Sequence, residues 1–135
     1  MSRTTTQGSI TFSLDQSNGV PIYRQIIQQV EYAILSGQMK SGDKLPTIRS
    51  LAVELKINPN TIVKAYGELE IRGILMTQVG TGTFIANQGM KPEEETRRKK
   101  VQEIANRFLQ DMQGLGVKRE ELFELFDAYP LRKEE

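Results

Sequence analysis

Asn58, Pro59, Asn60, Thr61 and Lys64 fall within the run INPNTIVKAY, residues 57–66. The chain has no histidine and no cysteine. The commonest general base and metal ligand is therefore missing, as are disulfides and thiolate chemistry. What remains is the chemistry of amides, hydroxyls, carboxylates and cations. An asparagine amide can hold adenine N6 and N7 together, and a threonine hydroxyl can reach a base edge or a phosphate. A lysine one helical turn behind them can meet a phosphate. Asn60, Thr61 and Lys64 have the types and the spacing for contact with a nucleic acid.

A helix must hold them, and its start is written in the sequence. Asn58 can cap it by accepting a backbone N–H. Pro59 suits the first helical position, where its missing N–H costs nothing. Ile62, Tyr66 and Leu69 then face inward, while Asn60, Lys64, Gly67 and Glu68 share the outer face. Thr61 lies at the edge near the tip. The N-terminal end of a helix also favours a phosphate nearby.

The surrounding elements follow from periodicity. Residues 1–8 are polar and read as a frayed end. Ile10, Phe12 and Leu14 alternate with polar residues and predict a short strand. Pro21 suits the first turn of a helix carrying Tyr23, Ile26, Ile27, Val30 and Ile34, with Gly37 as its stop. SGDKLP, residues 41–46, reads as a loop. A second helix begins at Thr47, a candidate cap, with Ile48, Leu51, Ala52 and Leu55 on its apolar face. A tight link leads to the third helix, which ends near Arg72 with Gly73 as its stop. Two short apolar segments joined by Gly80-Thr81-Gly82 predict a β-hairpin. Beyond a polar stretch, Val101, Ile104, Ala105, Phe108, Leu109 and Met112 form a helical stripe. A last helix carries Leu122, Phe123, Leu125, Phe126 and Tyr129, and Pro130 ends it. Two helices with a short link, followed by a hairpin, make a winged helix-turn-helix. The expected class is α+β: a mainly helical winged helix-turn-helix domain over residues 1–88, with a C-terminal two-helix extension over 89–135.

Composition narrows the function. The net charge is +1, with eight Lys/Arg against six Asp/Glu in residues 1–90 and ten against eleven in 91–135. Bulk charge therefore gives no polyanion signal, and a nucleic-acid reading rests on the motifs. No apolar run approaches the roughly 18 residues of a membrane span. MSRTTTQG at the start has no hydrophobic segment behind it, unlike a signal peptide. The expectation is a cytoplasmic protein with no membrane partner. Gly80-Thr81-Gly82 lacks the Gly-Lys-Ser/Thr ending of a phosphate loop and opens no helix. The basic run Arg97-Arg98-Lys99-Lys100 reads as a solvated helix face. Asp111, Glu120 and Asp127 read as solvated too, because no histidine or cysteine accompanies them. No metal and no cofactor are expected.

The runs LPTIRSLAVEL, INPNTIVKAYGELEIRGIL and GTGTFI resemble the GntR family of bacterial transcription regulators. The matching residues are Gly42, Leu45, Pro46, Thr47, Arg49, Leu51, Ala52, Thr61, Ile62, Ala65, Tyr66, Leu69, Gly73, Gly80, Gly82, Thr83 and Phe84. PIYRQI upstream fits as well, so the resemblance covers roughly residues 20–86. Asn-Pro-Asn-Thr and the short tail resemble the YtrA subfamily. Its members are small, dimerise through a two-helix extension and often control transporter operons. The resemblance implies that Arg49 on the second helix contacts DNA. It implies that Pro59, Asn60 and Thr61 read bases with Lys64 in support, and that the wing tip at Gly80 and Thr81 enters the minor groove. Many relatives carry arginine on the recognition helix where this chain has Asn60 and Lys64, so their base preference does not transfer.

The expected function is a dimeric, sequence-specific repressor on a pseudo-palindromic operator in double-stranded DNA, with a transporter operon as a target. A small-molecule effector is left open as a partner. Phe108, Leu109, Met112, Leu122, Phe123 and Phe126 make two apolar surfaces that a two-helix tail cannot bury on itself, and homodimerisation is assigned to them. The alternative is a winged-helix protein-interaction or assembly module without specific DNA binding. An enzyme is a distant third, because a tail of about 45 residues cannot house the aminotransferase-like domain that some relatives carry.

Overall fold

The computed structural model describes residues 2–7, 10–86 and 94–129. The chain forms two compact units, residues 1–97 and 98–135. The expected boundary at 88–89 lies outside the described residues, as does Pro130.

The first unit begins with an antiparallel hairpin of β1 (Ser2–Gln7) and β2 (Ile10–Asp15), in register from Ser2 opposite Asp15 to Gln7 opposite Ile10. This corrects the expectation of a frayed start. Successive β-branched Thr4, Thr5 and Thr6 favour extended backbone, and the alternation of β2 supplies a partner strand. Ile10, Phe12 and Leu14 point into the core.

Helix α1 (Ile22–Leu35) packs against β2 and lies beside α3 (Pro59–Ile71). Pro21 stands at its cap position rather than within its first turn. Two glutamines on α1, four residues apart, hold β2 as a neighbouring strand would. The Gln29 amide accepts from the Ser13 N–H at 2.9 Å and donates to the Ser13 carbonyl at 2.7 Å. Gln25 does the same at Asp15, at 2.9 and 2.8 Å. Gln25 is buried, and its amide N–H groups also reach Asn18 and the Val20 carbonyl.

Helix α2 (Ile48–Leu55) starts at Thr47, whose hydroxyl accepts from the Ser50 N–H at 3.1 Å. It ends at Lys56 in the left-handed conformation, with φ of 56°. That single residue turns the chain toward α3. The core joins α1, α2 and α3: Ile26, Val30, Leu51, Leu55, Ile62 and Leu69 are completely buried. Tyr66 on α3 donates its hydroxyl to the Pro46 carbonyl at 2.9 Å, tying α3 to the segment ahead of α2. Burial raises its phenol pKa above the ordinary value.

The unit closes with the hairpin of β3 (Leu75–Gln78) and β4 (Gly82–Ile85). The segment read as a loop is partly a third member of this sheet. Lys44 bridges Phe84. The Gly42 N–H donates to Ile85, the Ile85 N–H to Asp43, and the Leu45 N–H to Thr83, at 2.8–2.9 Å. Sequence pattern missed this pairing because it is too short to show any alternation.

The second unit contains nearly all of α4 (Glu94–Gly114) and all of α5 (Arg119–Ala128). Gly116 has a φ of 74° in the link between them. The Phe108 and Phe126 rings stack with centroids 6.0 Å apart. None of the described residues from 98 to 129 is buried.

Candidate nucleic-acid interface

The site is built on the start of α3. The Asn58 side chain accepts from the Asn60 N–H at 2.9 Å, and the Thr61 N–H donates to the Asn58 carbonyl at 3.0 Å. Pro59 occupies the first helical position. The entry of the helix is thereby fixed, and so is the direction of the side chains behind it. Asn60 and Lys64 are exposed and Thr61 is half-buried at the edge. Ile62, Ala65, Tyr66 and Leu69 are buried on the opposite side. The polar front is thus held from behind by the core.

Lys64 is held by more than its own helix. Its ammonium stands 3.9 Å from the centroid of the Tyr23 ring on α1. The Arg24 guanidinium lies 5.5 Å from the same ring. A cation over an aromatic face is attracted by the ring quadrupole. Tyr23 thus fixes one cation near the outer face of α3 and gathers a second beside it.

Arg49 is exposed on the first turn of α2. With Ile48, Ala52, Val53, Ile57 and Pro59 it lines a shallow, mainly apolar cleft between α2 and the start of α3. The structure therefore brings Arg49 and Pro59 together, with Asn60 and Thr61 following directly. Gly80 and Thr81 form the exposed turn of the hairpin, with Gly80 at a φ of 78°. They do not share the cleft; they stand apart on the wing, whose strand β3 packs against α3. The described residues contain no group of three or more acidic, histidine or cysteine side chains placed to hold a metal ion. No described helix is long and apolar enough to cross a membrane.

Residues 22–85 match the model of the gntR family of bacterial regulatory proteins. The chain is 41% identical over 111 residues to the HTH-type transcriptional repressor YtrA of Bacillus subtilis, covering 82% of this chain and 85% of that one. The chain belongs to the GntR family. A GntR family transcriptional regulator from Listeria monocytogenes has the same fold, with a TM-score of 0.64 at 32% identity over 85% of this chain and 98% of that one. The DNA-binding domain of AraR in complex with operator ORX1 is similar over 54% of this chain and 93% of that one, at 31% identity and a TM-score of 0.50.

Within this GntR domain, sequence reading placed the polar front of α3 but missed two neighbours of the site. Spacing alone puts Tyr23 on the apolar face of α1, whereas it is half-buried and carries the cations. The adjacent Arg24 was a usable signal. Lys44 was hidden in a loop reading, and only its pairing with Phe84 reveals its place.

In the tail, Phe108, Met112 and Leu122 are half-buried, and Leu109, Phe123 and Phe126 are exposed at 45%, 55% and 54%. The basic run lies on α4, with Arg97, Arg98 and Lys99 exposed and Lys100 half-buried.

Proposed function

We propose that this GntR-family DNA-binding regulator is a repressor that acts as a two-fold dimer on a pseudo-palindromic operator. One observation carries the reading: a capped α3 presents Asn60 and Lys64 on its exposed face and half-buried Thr61 at the edge, with Arg49 beside its start. A helix that enters the major groove by its N-terminal residues needs such a front. Asn60 reads a base, Thr61 a base edge or phosphate, and Lys64 and Arg49 meet phosphates. Gly80 and Thr81 enter the adjacent minor groove.

The tail, residues 89–135, is the dimerisation element. Val101, Ile104, Leu109, Phe123 and Phe126 are each 45% to 55% exposed in the single chain. Such a surface on a small helical pair marks an interaction site. Two linked domains also convert the second half-site contact into an intramolecular one, which raises affinity without new contacts. YtrA of Bacillus subtilis is a transcriptional repressor, and repression is the mode assigned here. A transporter operon is the class of target, in keeping with the YtrA-like tail.

Selection of bound fragments from a random DNA pool tests this directly. The expected outcome is a two-fold symmetric motif whose half-sites are about one helical turn apart or a multiple of it. Recovery of no motif would favour a protein-interaction module instead.

A further inference from the structure

The hairpin from Leu75 to Ile85 contains no lysine and no arginine. A wing that meets DNA with no positive charge of its own lacks the usual partner for a phosphate. The structure supplies one from another part of the chain. Lys44 pairs with Phe84 across the sheet, so the two side chains share a face. That face is the outer one, because Thr83 and Ile85 take the buried positions of β4. The lysine stem then runs from Phe84 toward the turn and crosses Gly82. A side chain on Gly82 would place its Cβ 2.8 Å from Lys44 Cε and 3.5 Å from Nζ. Gly82 leaves the path open, and the ammonium comes to the root of the wing turn.

Acids on the neighbouring segments have hydrogen-bond partners of their own. The Asp43 carboxylate accepts from the Lys40 backbone N–H at 2.8 Å. The Glu70 carboxylate accepts from the Thr77 hydroxyl on β3. Arg72 pairs with Glu31 and Glu68, and Lys44 takes part in neither pair.

We infer that Lys44 is the phosphate-binding cation of the wing, carried onto it across Gly82. The inference rests on the reading that the wing meets DNA, and it adds a contact residue outside both the recognition helix and the wing sequence. A long side chain lying along its own sheet loses less freedom on binding than one reaching out from a loop.

The test uses the full chain and an operator fragment recovered by selection. Lys44→Met keeps the stem and removes the charge, and Lys44→Arg keeps the charge. Binding is measured from about 50 to 200 mM salt, where one phosphate contact contributes about 0.9 to the logarithmic slope. Lys44→Met should lower the slope by about one unit per bound protomer, so that this rise in salt weakens it roughly threefold less per protomer. Lys44→Arg should restore the parent slope, which a purely structural role of the stem does not require. An unchanged slope in Lys44→Met, with Arg49→Ala weakening binding to the same fragment, would overturn the inference and leave the DNA reading intact. If the parent forms no specific complex, the DNA reading falls and the inference with it.

Discussion

The Lys64 ammonium on α3 rests 3.9 Å above the centre of the Tyr23 ring on α1. A cation on the exposed face of α3 is thus positioned by a residue outside α2 and α3. Two substitutions separate its charge from its placement. Lys64→Ala removes a phosphate contact and should flatten the salt dependence of operator binding by about one unit per protomer. Tyr23→Leu leaves the charge in place but frees it. It should cost about 0.5–1 kcal/mol of folding stability, the usual worth of an exposed cation–aromatic pair, with the salt slope of operator binding unchanged. Equal slopes in the parent and Lys64→Ala would remove Lys64 from the phosphate contacts.

Asn60 faces outward at the capped tip of α3. Asn60→Ala should lose one bidentate base contact, about 1–3 kcal/mol on the specific site. Weak, salt-sensitive binding to random DNA should persist. Titration of both DNAs with the variant checks this, and parent-like affinity for the operator would end the base-reading role.

Asn58 holds the first turn in place through the Asn60 N–H. Asn58→Ala should lower unfolding stability by about 0.5–2 kcal/mol, the range for a lost cap. Asn58→Asp should keep most of the stability, because aspartate caps as well and suits the helix dipole. Thermal unfolding of the two variants measures the difference.

Lys56 sits at a φ of 56°, where a β-carbon is crowded. Lys56→Gly should relieve about 1 kcal/mol of that crowding, and the greater freedom of glycine in the unfolded chain offsets part of the gain. A small rise in melting temperature is expected. A fall would show that the lysine side chain contributes more than its backbone costs.

Phe108 and Phe126 stack on each other within one tail, so changing them disturbs the helix pair itself. Leu109 and Phe123 are the better probes of association, because both are exposed in the single chain. Leu109→Ser with Phe123→Ser should leave the helices folded, give a monomer by light scattering and weaken binding to the full operator far more than to a half-site. A double variant that remains dimeric would move the interface elsewhere.

The parts of the fold legible in the sequence were those with local rules behind them. Thr47 and Asn58 mark helix starts because a side-chain oxygen must satisfy a backbone N–H there. Ile62, Tyr66 and Leu69 show the buried side of α3 by spacing alone. What escaped depended on partners distant in sequence. The strand β1 has no alternation of its own and is defined by pairing with β2. Lys44 joins the wing through Phe84, forty residues away. Tyr23 meets Lys64 only because α1 and α3 lie side by side. The spacing of residues made the site legible along α3, the family resemblance added Arg49, Gly80 and Thr81, and the contacts of Tyr23 and Lys44 stayed hidden because each depends on an element distant in sequence.

The two glutamines of α1 have a consequence for how this protein behaves when crowded. A strand edge offers N–H and C=O groups on which another chain can grow, and natural sheets must block it to stay dispersed. Gln29 and Gln25 occupy the backbone of Ser13 and Asp15 with their own amides. They imitate the next strand while ending the ladder, since a side-chain amide presents nothing beyond itself to pair with. The groups that block this stretch of the β2 edge therefore reside on a helix. Replacing both glutamines with leucine would add apolar contact and still expose the chain to fibre formation.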